Sequence, residues 1–414
     1  MKSEIIAVGS EMLTPFRQDT NSLYLTEKLN ELGVTVAFKT IVGDRLKDLV
    51  NAIRTALGRA DILAISGGLG PTEDDLTREA LGEALGLALH RDATLLANLH
   101  ARAAARRIPM PENNQKQADV LEGATILPNA NGTAPGQWLD TKFAGFRKLV
   151  VLVPGPPSEC KPLFDTECLP RLRAVLPKRF IAKRTLRAAM IAESQADKLL
   201  APIYTTYKDV ETTILAHSGD IQLTLLCGKP NQESAQQRVD ELAGKMEEAL
   251  EEWLYSSEGD SLEQIVLYYL GLRQSTLAVA ESCTGGMVSE RLTSVSGSSR
   301  SFVGSVVVYS NEMKMIFTGV PPELLAQHGA VSAEVAAAMA QGVRKATGST
   351  LGLSITGIAG PTGGTEEKPV GLVYLALTDG KKTETIERRF LGPRQRIREF
   401  ATQQALDLVR KRLL

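Results

Sequence analysis

The stretch Thr276-Leu-Ala-Val-Ala-Glu-Ser-Cys-Thr-Gly-Gly286 runs an apolar strand into Glu281 and Ser282, then breaks at two glycines before a helical pattern. A serine is left at a strand-to-helix corner. Backbone N–H groups at a helix start are unpaired and partially positive, so the corner suits a bound anion or a developing oxyanion. It equally suits a plain N-cap in a glycine-rich turn. Two further strand-like runs, Val303-Gly-Ser-Val-Val-Val-Tyr-Ser310 and Leu351-Gly-Leu-Ser-Ile-Thr-Gly357, also end in polar residues, followed by Asn311-Glu-Met-Lys314 and Ile358-Ala-Gly-Pro361. If these strands are parallel, Ser282, Tyr309, Lys314 and Thr356 collect at the carboxyl edge of one sheet, where open α/β sheets place their ligand crevice. A serine beside a lysine needs no histidine, because burial or a neighbouring dipole can free the amine to take the hydroxyl proton.

A second serine competes for that role. Ser299, in Gly297-Ser-Ser-Arg300, precedes the strand whose far end carries Tyr309, and roughly eight extended residues span about 26 Å. Ser282 therefore ranks first, with Ser299 as the alternative should the strand be short or the site be shared between subunits. Cys283 has no matched histidine partner. Arg394 and Arg398 lie four apart on one helix face, either as forks for a phosphate or as a solvated basic helix start. The connection Gly363-Gly-Thr-Glu-Glu-Lys-Pro-Val-Gly371 is placed to fold over substrate as a lid.

The elements that must position an N-terminal site alternate strand and helix: Glu4-Ile-Ile-Ala-Val8, a helix over 21–32, Val34-Thr-Val-Ala-Phe38, a helix over 46–57, and Asp61-Ile-Leu-Ala-Ile65. That order argues for a parallel sheet with helices on both faces. The third strand runs into Ser66-Gly-Gly-Leu-Gly-Pro-Thr-Glu-Asp-Asp-Leu-Thr77. Its glycines let backbone N–H groups approach a phosphate, while Glu73, Asp74 and Asp75 offer oxygens to a divalent metal or serve as partners of a helix dipole. Between the two halves, residues 177–257 carry strands at 184–191 and 221–226, a charged helix over 232–255, and no clear chemistry. Glu258-Gly-Asp-Ser261 reads as a linker, with Ser261 and Gln264 at capping-box spacing.

A chain of 414 residues predicts two or three domains, and 43% hydrophobic content is ample for their cores. The net charge of −1 gives no overall electrostatic footprint for nucleic acid. Four scattered cysteines without C-x-x-C spacing suggest neither a zinc knuckle nor a disulfide framework. The opening Met1-Lys-Ser-Glu-Ile does not resemble a secretory leader and no apolar run reaches membrane-spanning length, so a cytoplasmic location is expected.

Glu281-Ser-Cys-Thr-Gly-Gly286, Gly297-Ser-Ser299, Tyr309-Ser-Asn-Glu-Met-Lys314, His328-Gly-Ala-Val-Ser332 and Thr356-Gly-Ile-Ala-Gly-Pro361 recur together in one family. The chain resembles the CinA, or competence/damage-inducible, proteins. Their C-terminal domain is similar to nicotinamide mononucleotide (NMN) deamidases, described as Ser/Lys amidohydrolases that need no cofactor. The resemblance implies Ser282 as nucleophile and Lys314 as base and then acid, with Tyr309 relaying or orienting the proton. Thr356 and the N–H groups of Cys283 or Gly357 are the oxyanion candidates. Glu281, Cys283, Thr284, Gly285, Gly286, Gly357, Gly360, Arg394 and Arg398 would surround the substrate.

The N-terminal part resembles the molybdopterin-binding fold, with matching motifs at Gly9-Ser-Glu11, Asp19-Thr-Asn21, Glu112-Asn-Asn-Gln-Lys-Gln117, Asn131-Gly-Thr-Ala-Pro-Gly136 and Pro154-Gly-Pro-Pro-Ser-Glu159. Thr14-Pro-Phe-Arg-Gln18 departs from the shorter turn of relatives. In this family the domain is similar to a metal-dependent ADP-ribose pyrophosphatase. That similarity implies nucleotide contacts from Gly67, Gly68, Gly70, Thr72, Thr77 and Asn21, and a divalent metal of the Mg or Co class on Asp75, Asp74 and Glu159. The middle piece resembles a small KH-like module, yet the Gly-x-x-Gly loop that clamps nucleic acid is not evident and His217-Ser-Gly-Asp220 is a poor substitute.

The expectation is thus an α/β protein in three parts: a three-layer α/β/α domain over 1–172, a KH-like spacer or dimerisation module over 173–257, and an α/β/α amidohydrolase domain over 258–414. It would act on NMN and ADP-ribose as a homodimer, with no nucleic-acid or membrane partner. The other reading is a CinA-like adaptor of DNA uptake, or a nucleotide-binding module without turnover.

Overall fold

The computed structural model describes residues 1–105, 107 and 109–414. The chain folds as two compact units, residues 1–181 with 228–232, and residues 182–227 with 233–414. In the first, β1 (Lys2–Val8), α1 (Asn21–Glu31), β2 (Thr35–Val42), α2 (Leu46–Arg59), β3 (Ile62–Ser66) and α3 (Thr77–Leu85) alternate as the apolar pattern predicts. There follow β4 (Leu89–Arg91), α4 (Ala93–Ala105), β5 (Asp119–Leu121), β6 (Thr125–Leu127), β7 (Gly136–Phe143), β8 (Phe146–Val153), α5 (Pro157–Leu163) and α6 (Leu169–Val175). The six-stranded sheet runs β2-β1-β3-β8-β7-β6, parallel from β2 to β8 and antiparallel beyond. Ile62–Ser66 is buried throughout because helices cover both faces, which is why it reads as a continuous apolar run.

The second unit opens with the KH-like module: β9 (Phe180–Ala189), α7 (Glu193–Tyr204), β10 (Val210–His217), β11 (Asp220–Lys229), α8 (Gln232–Leu250) and β12 (Leu254–Ser256), in sheet order β10-β11-β9-β12. The long helix expected to reach Tyr255 stops at Leu250. Glu251 adopts a φ of 44°, which an α-helix cannot continue through, and Tyr255 lies in β12 instead. His217-Ser-Gly-Asp220 is a tight hairpin turn, with His217 paired to Asp220 and positive φ at both Ser218 and Gly219. Such a two-residue turn matches the twist of its strands.

The C-terminal domain comprises α9 (Leu262–Leu272), β13 (Leu277–Glu281), α10 (Met287–Thr293), β14 (Phe302–Val307), α11 (Asn311–Thr318), α12 (Pro322–His328), α13 (Ala333–Thr347), β15 (Leu351–Gly357), β16 (Leu372–Thr378), β17 (Thr383–Arg389) and α14 (Arg394–Leu413). Ser261 and Gln264 form the capping box that starts α9. The sheet runs β14-β13-β15-β16-β17, with β13 parallel to both β14 and β15. β17 pairs antiparallel with β16 at the edge. The carboxyl ends of β13, β14 and β15 therefore share one edge, which is where the polar residues fall.

Helices α13 and α14 cover opposite faces of this sheet. The buried residues of α13, Val335, Ala336, Met339, Ala340 and Val343, recur at helical spacing and meet β13 and β15. Two glycines permit the close approach: a Cβ on Gly352 would lie 2.2 Å from the Ala340 carbonyl oxygen, and one on Gly342 would lie 1.8 Å from that of Thr318. Thr318 ends α11, the helix that carries Lys314. Gly342→Ala is expected to push α11 and α13 apart and cost about 1–3 kcal/mol, as overpacking of a filled interior does; urea unfolding of the two proteins measures it.

Candidate active site

Ser282 follows the last residue of β13, and its N–H donates to the Ile355 carbonyl of β15 at 2.9 Å. Only 8% of the residue is exposed. Lys314 comes from the first turns of α11, which Ser310 starts by accepting a hydrogen bond from the Met313 N–H. Its side chain turns back under the sheet edge and is 2% exposed. The Lys314 Nζ lies 3.1 Å from Ser282 Oγ and 2.9 Å from the Val308 carbonyl oxygen. No carboxylate pairs with it among the described residues. Burial lowers its pKa from the ordinary lysine value. Lys314 Nζ is the donor in both contacts; loss of one proton would leave an N–H for Val308 and a lone pair for the serine hydroxyl.

Ser282, Cys283, Tyr309, Asn311, Lys314, Ala330, Val331, Thr356, Gly357, Ala359 and Arg394 enclose a cavity of about 170 Å³. Four of the expected catalytic residues thus meet. Ser299 does not join them: it lies in the short turn before β14, and β14 pairs with β13 in parallel, so Ser299 sits by the amino edge and Ser282 at the carboxyl edge. Tyr309 is 62% exposed and its hydroxyl accepts from Arg394 Nη2 at 2.8 Å rather than meeting Lys314. It forms a wall of the cavity, not a relay. The Thr356 hydroxyl donates to the Ala330 carbonyl at 2.8 Å and is committed there. Cys283 is buried, which pushes its thiol up to about 12 and leaves it protonated.

The helix-start N–H groups are not free, contrary to the reading of the corner as an anion site. The Glu281 carboxylate turns inward and accepts from the N–H groups of Gly286, Val288 and Ser289 at 2.9, 3.2 and 2.9 Å, and from the Ser289 hydroxyl. Glu281 is a fully buried cap of α10, not a substrate contact. Gly285 and Gly286, both left-handed, let the chain wrap around that carboxylate. The Cys283 N–H has no partner beyond its own residue among the described residues. The Thr284 hydroxyl is buried without one, while its carbonyl accepts from Arg398 Nη2 at 2.7 Å. Arg394 also holds the Gly360 carbonyl at 2.8 Å. The glycine-rich connection is tethered by Lys368 Nζ, which donates to the carbonyls of His328 and Val331. Asn311, Ala330 and Val331 received no role from the sequence, although all three lie inside motifs quoted for the family.

In the N-terminal unit, Val8, Glu11, Arg17, Asp19, Asn21, the 66–71 loop, Asp75, Gln117 and Glu159 are among the residues lining a cavity of about 620 Å³. A Cβ on Gly67 would meet the Val8 carbonyl oxygen at 2.4 Å, and one on Gly70 would meet Asp75 Oδ2 at 2.3 Å. Thr77, fully buried, donates to the Gly67 carbonyl at 2.7 Å and so shapes the loop rather than touching ligand. Thr72 lies outside the cavity lining and holds Asp75 Oδ2 through its N–H and hydroxyl.

The three expected metal ligands do not converge. Asp74 is exposed and lies outside the cavity lining, its carboxylate held by Thr72, whereas Asp75 and Glu159 line the cavity. Glu159 accepts from Asn129 at 2.7 Å. Among the described residues no three His, Cys, Asp or Glu side chains form a metal cage. The Asn21 Oδ1, buried beside the cavity with no partner, adds one hard oxygen. This donor set fits a magnesium-like ion shared with substrate phosphates better than an all-protein site. Arg78, which the sequence reading passed over, is fully buried behind the loop and donates to the Leu69 carbonyl at 2.6 Å.

Fold and site together define a protein with a molybdopterin-binding-like N-terminal domain, a KH-like module and a C-terminal α/β domain bearing a buried serine–lysine pair. Residues 4–174 match the probable molybdopterin binding domain, 183–256 the damage-inducible protein CinA KH domain, and 259–413 the CinA C-terminal domain. The chain belongs to the CinA family. It is 64% identical over 414 residues to a CinA-like protein of Acidobacterium capsulatum and 55% identical over 414 residues to one of Koribacter versatilis, each alignment covering 100% of both chains. A solved structure of the competence/damage inducible protein CihA from Agrobacterium tumefaciens is 36% identical, covering 36% of this chain and 90% of that one with a TM-score of 0.35. Among the described residues no helix is long and apolar enough to cross a membrane.

A depressed lysine pKa is also a statement about stability. The unfolded chain holds the Lys314 proton up to about 10.4, whereas the folded chain releases it earlier. Between the two values the unfolded state binds more protons, so stability rises with pH across that window and the burial penalty is full below it. Lys314→Met is expected to be at least as stable as the parent near pH 7, with its advantage shrinking toward pH 10. Urea titrations of both proteins at the two pH values check the sign.

Proposed function

We propose that the C-terminal site is a serine–lysine amidase that hydrolyses NMN to nicotinate mononucleotide and ammonia. The observation that carries this reading is the carboxylate-free, buried Lys314 amine 3.1 Å from Ser282 Oγ in the floor of a small cavity. Neutral Lys314 takes the hydroxyl proton as Ser282 Oγ attacks the carboxamide carbon. The oxygen of the tetrahedral intermediate is met by the Cys283 N–H, the backbone donor next to the nucleophile. Lys314 then gives its proton to the amide nitrogen, the C–N bond breaks and ammonia leaves an acyl-serine ester. Water, deprotonated by Lys314, attacks that ester, and Lys314 returns the proton to the departing Ser282 Oγ, so the product leaves as the carboxylate with the serine hydroxyl restored. A cavity of about 170 Å³ is smaller than the ~300–1,000 Å³ of whole-ligand clefts. It suits the pyridine ring and amide, with the ribose phosphate at the rim near Arg394.

For the N-terminal cavity we propose metal-dependent cleavage of ADP-ribose to AMP and ribose 5-phosphate. Asp75 and Glu159 would hold a hard divalent ion, whose charge offsets that of the pyrophosphate when bound. The glycine loop brings backbone close to the same phosphates.

Ammonia release from NMN tests the first reading. Ser282→Ala and Lys314→Met should each lower turnover by about a thousandfold or more, and the double variant should be little worse than either, because the pair acts as a unit. Ser299→Ala should stay near the parent rate, and EDTA should have no effect. The rate should climb with pH as Lys314 loses its proton, at a midpoint below that of an ordinary lysine. Full activity in Lys314→Met would end the dyad proposal.

Asp75→Ala should abolish metal-dependent ADP-ribose cleavage and leave NMN deamidation intact. Equal loss of both activities in a folded variant would show that the sites are coupled or misassigned.

A further inference from the structure

The His217-Ser-Gly-Asp220 turn meets the helix that grips the serine loop. The Ser218 hydroxyl donates to Glu399 Oε2 of α14 at 2.6 Å. Glu399 Oε1 accepts from Gln395 Nε2 at 2.9 Å, Gln395 Oε1 accepts from Arg398 Nη1 at 3.4 Å, and Arg398 Nη2 donates to the Thr284 carbonyl at 2.7 Å. An unbroken polar chain thus joins the hairpin turn to the loop that follows Ser282. Packing reinforces it: a Cβ on Gly219 would lie 3.0 Å from Met190 Sδ and 3.1 Å from the Phe400 ring, so turn and helix are already in contact.

The other end of α14 is held by the same module. Arg410, buried and paired with Asp407, donates to the carbonyls of Leu254 and Glu252 at 3.0 and 2.8 Å. The two grips are tied together, because the Tyr255 hydroxyl in β12 donates to Asp220 at 2.7 Å. A helix clamped at both ends has little freedom to slide or tilt. Its first turns, bearing Arg394 and Arg398, are therefore placed by a module that holds none of the reacting groups.

We propose that Ser218 and Glu399 are positioning residues for the amidase site, the KH-like hairpin turn setting the first turns of α14 and through Arg398 the loop beside Ser282. The proposal rests on the amidase reading of that site. Loosening this seat leaves the Ser282–Lys314 pair intact but blurs the substrate cradle, so it weakens substrate binding more than chemistry.

In the full-length protein, Glu399→Ala and Ser218→Ala are expected to raise the KM for NMN by about three- to tenfold with kcat within about twofold of the parent. Glu399→Gln, which keeps an acceptor for Ser218, should recover most of the loss. Unchanged KM in both alanine variants, or a fall in kcat alone, would overturn the proposal. Hydrogen exchange of the same variants gives a readout that needs no turnover. Faster exchange at residues 284–289 and 395–399, with β13 and β15 as protected as in the parent, supports the seat, and unaltered exchange there overturns it. A parent protein that releases no ammonia from NMN would instead sink the amidase reading, and the exchange experiment would still decide the coupling.

Discussion

Burying one lysine amine with no carboxylate paired to it among the described residues is the constraint around which the C-terminal domain is organised. An ammonium in such a place is costly, so the group gives up its proton more readily than in water. The fold tolerates this because Lys314 is surrounded rather than abandoned, with a carbonyl from the end of β14 and a hydroxyl from the end of β13 within hydrogen-bond reach. Those two atoms come together only because β13 and β14 are parallel neighbours whose carboxyl ends coincide. Helix α11 must then begin at once after β14, which the Ser310 cap secures, and lie tightly on α13, which Gly342 permits.

Both units use a strand, a glycine turn and a helix, yet the turns do opposite electrostatic work. At 281–289 the helix start is satisfied internally by the Glu281 carboxylate, so little positive potential is left for a ligand. At 66–77 the glycines bring loop backbone against Val8, and the carboxylates that remain in the cavity face solvent-accessible space. There the fully buried guanidinium of Arg78 supplies fixed positive charge behind the loop.

The sheets and the serine–lysine pair were legible in the sequence for a physical reason. Strands buried on both faces, such as Leu277–Glu281, read as unbroken apolar runs, and their abrupt polar ends mark a sheet edge. Elements lacking that signature were missed. β17, Thr-Glu-Thr-Ile-Glu-Arg-Arg, is an exposed edge strand rich in charge, and β10 is mostly exposed beyond Val210. Side-chain direction at the turns was equally hidden. Nothing in Glu281-Ser-Cys-Thr-Gly-Gly286 tells whether the carboxylate faces ligand or its own helix, and nothing in adjacent Asp74 and Asp75 tells which of the two lines the cavity. The end of α8 depended on one backbone angle at Glu251 that composition does not announce.

Lys368 fastens the glycine-rich connection near its middle, to carbonyls on either side of the cavity-lining Ala330. A long loop tied at one interior point behaves as two short ones, and the closure entropy of each is lost when the chain folds, not when a ligand arrives. For this connection to sweep across the cavity as one flap, both of those hydrogen bonds would have to break first. A rim ordered in this way has its shape largely decided before any ligand arrives.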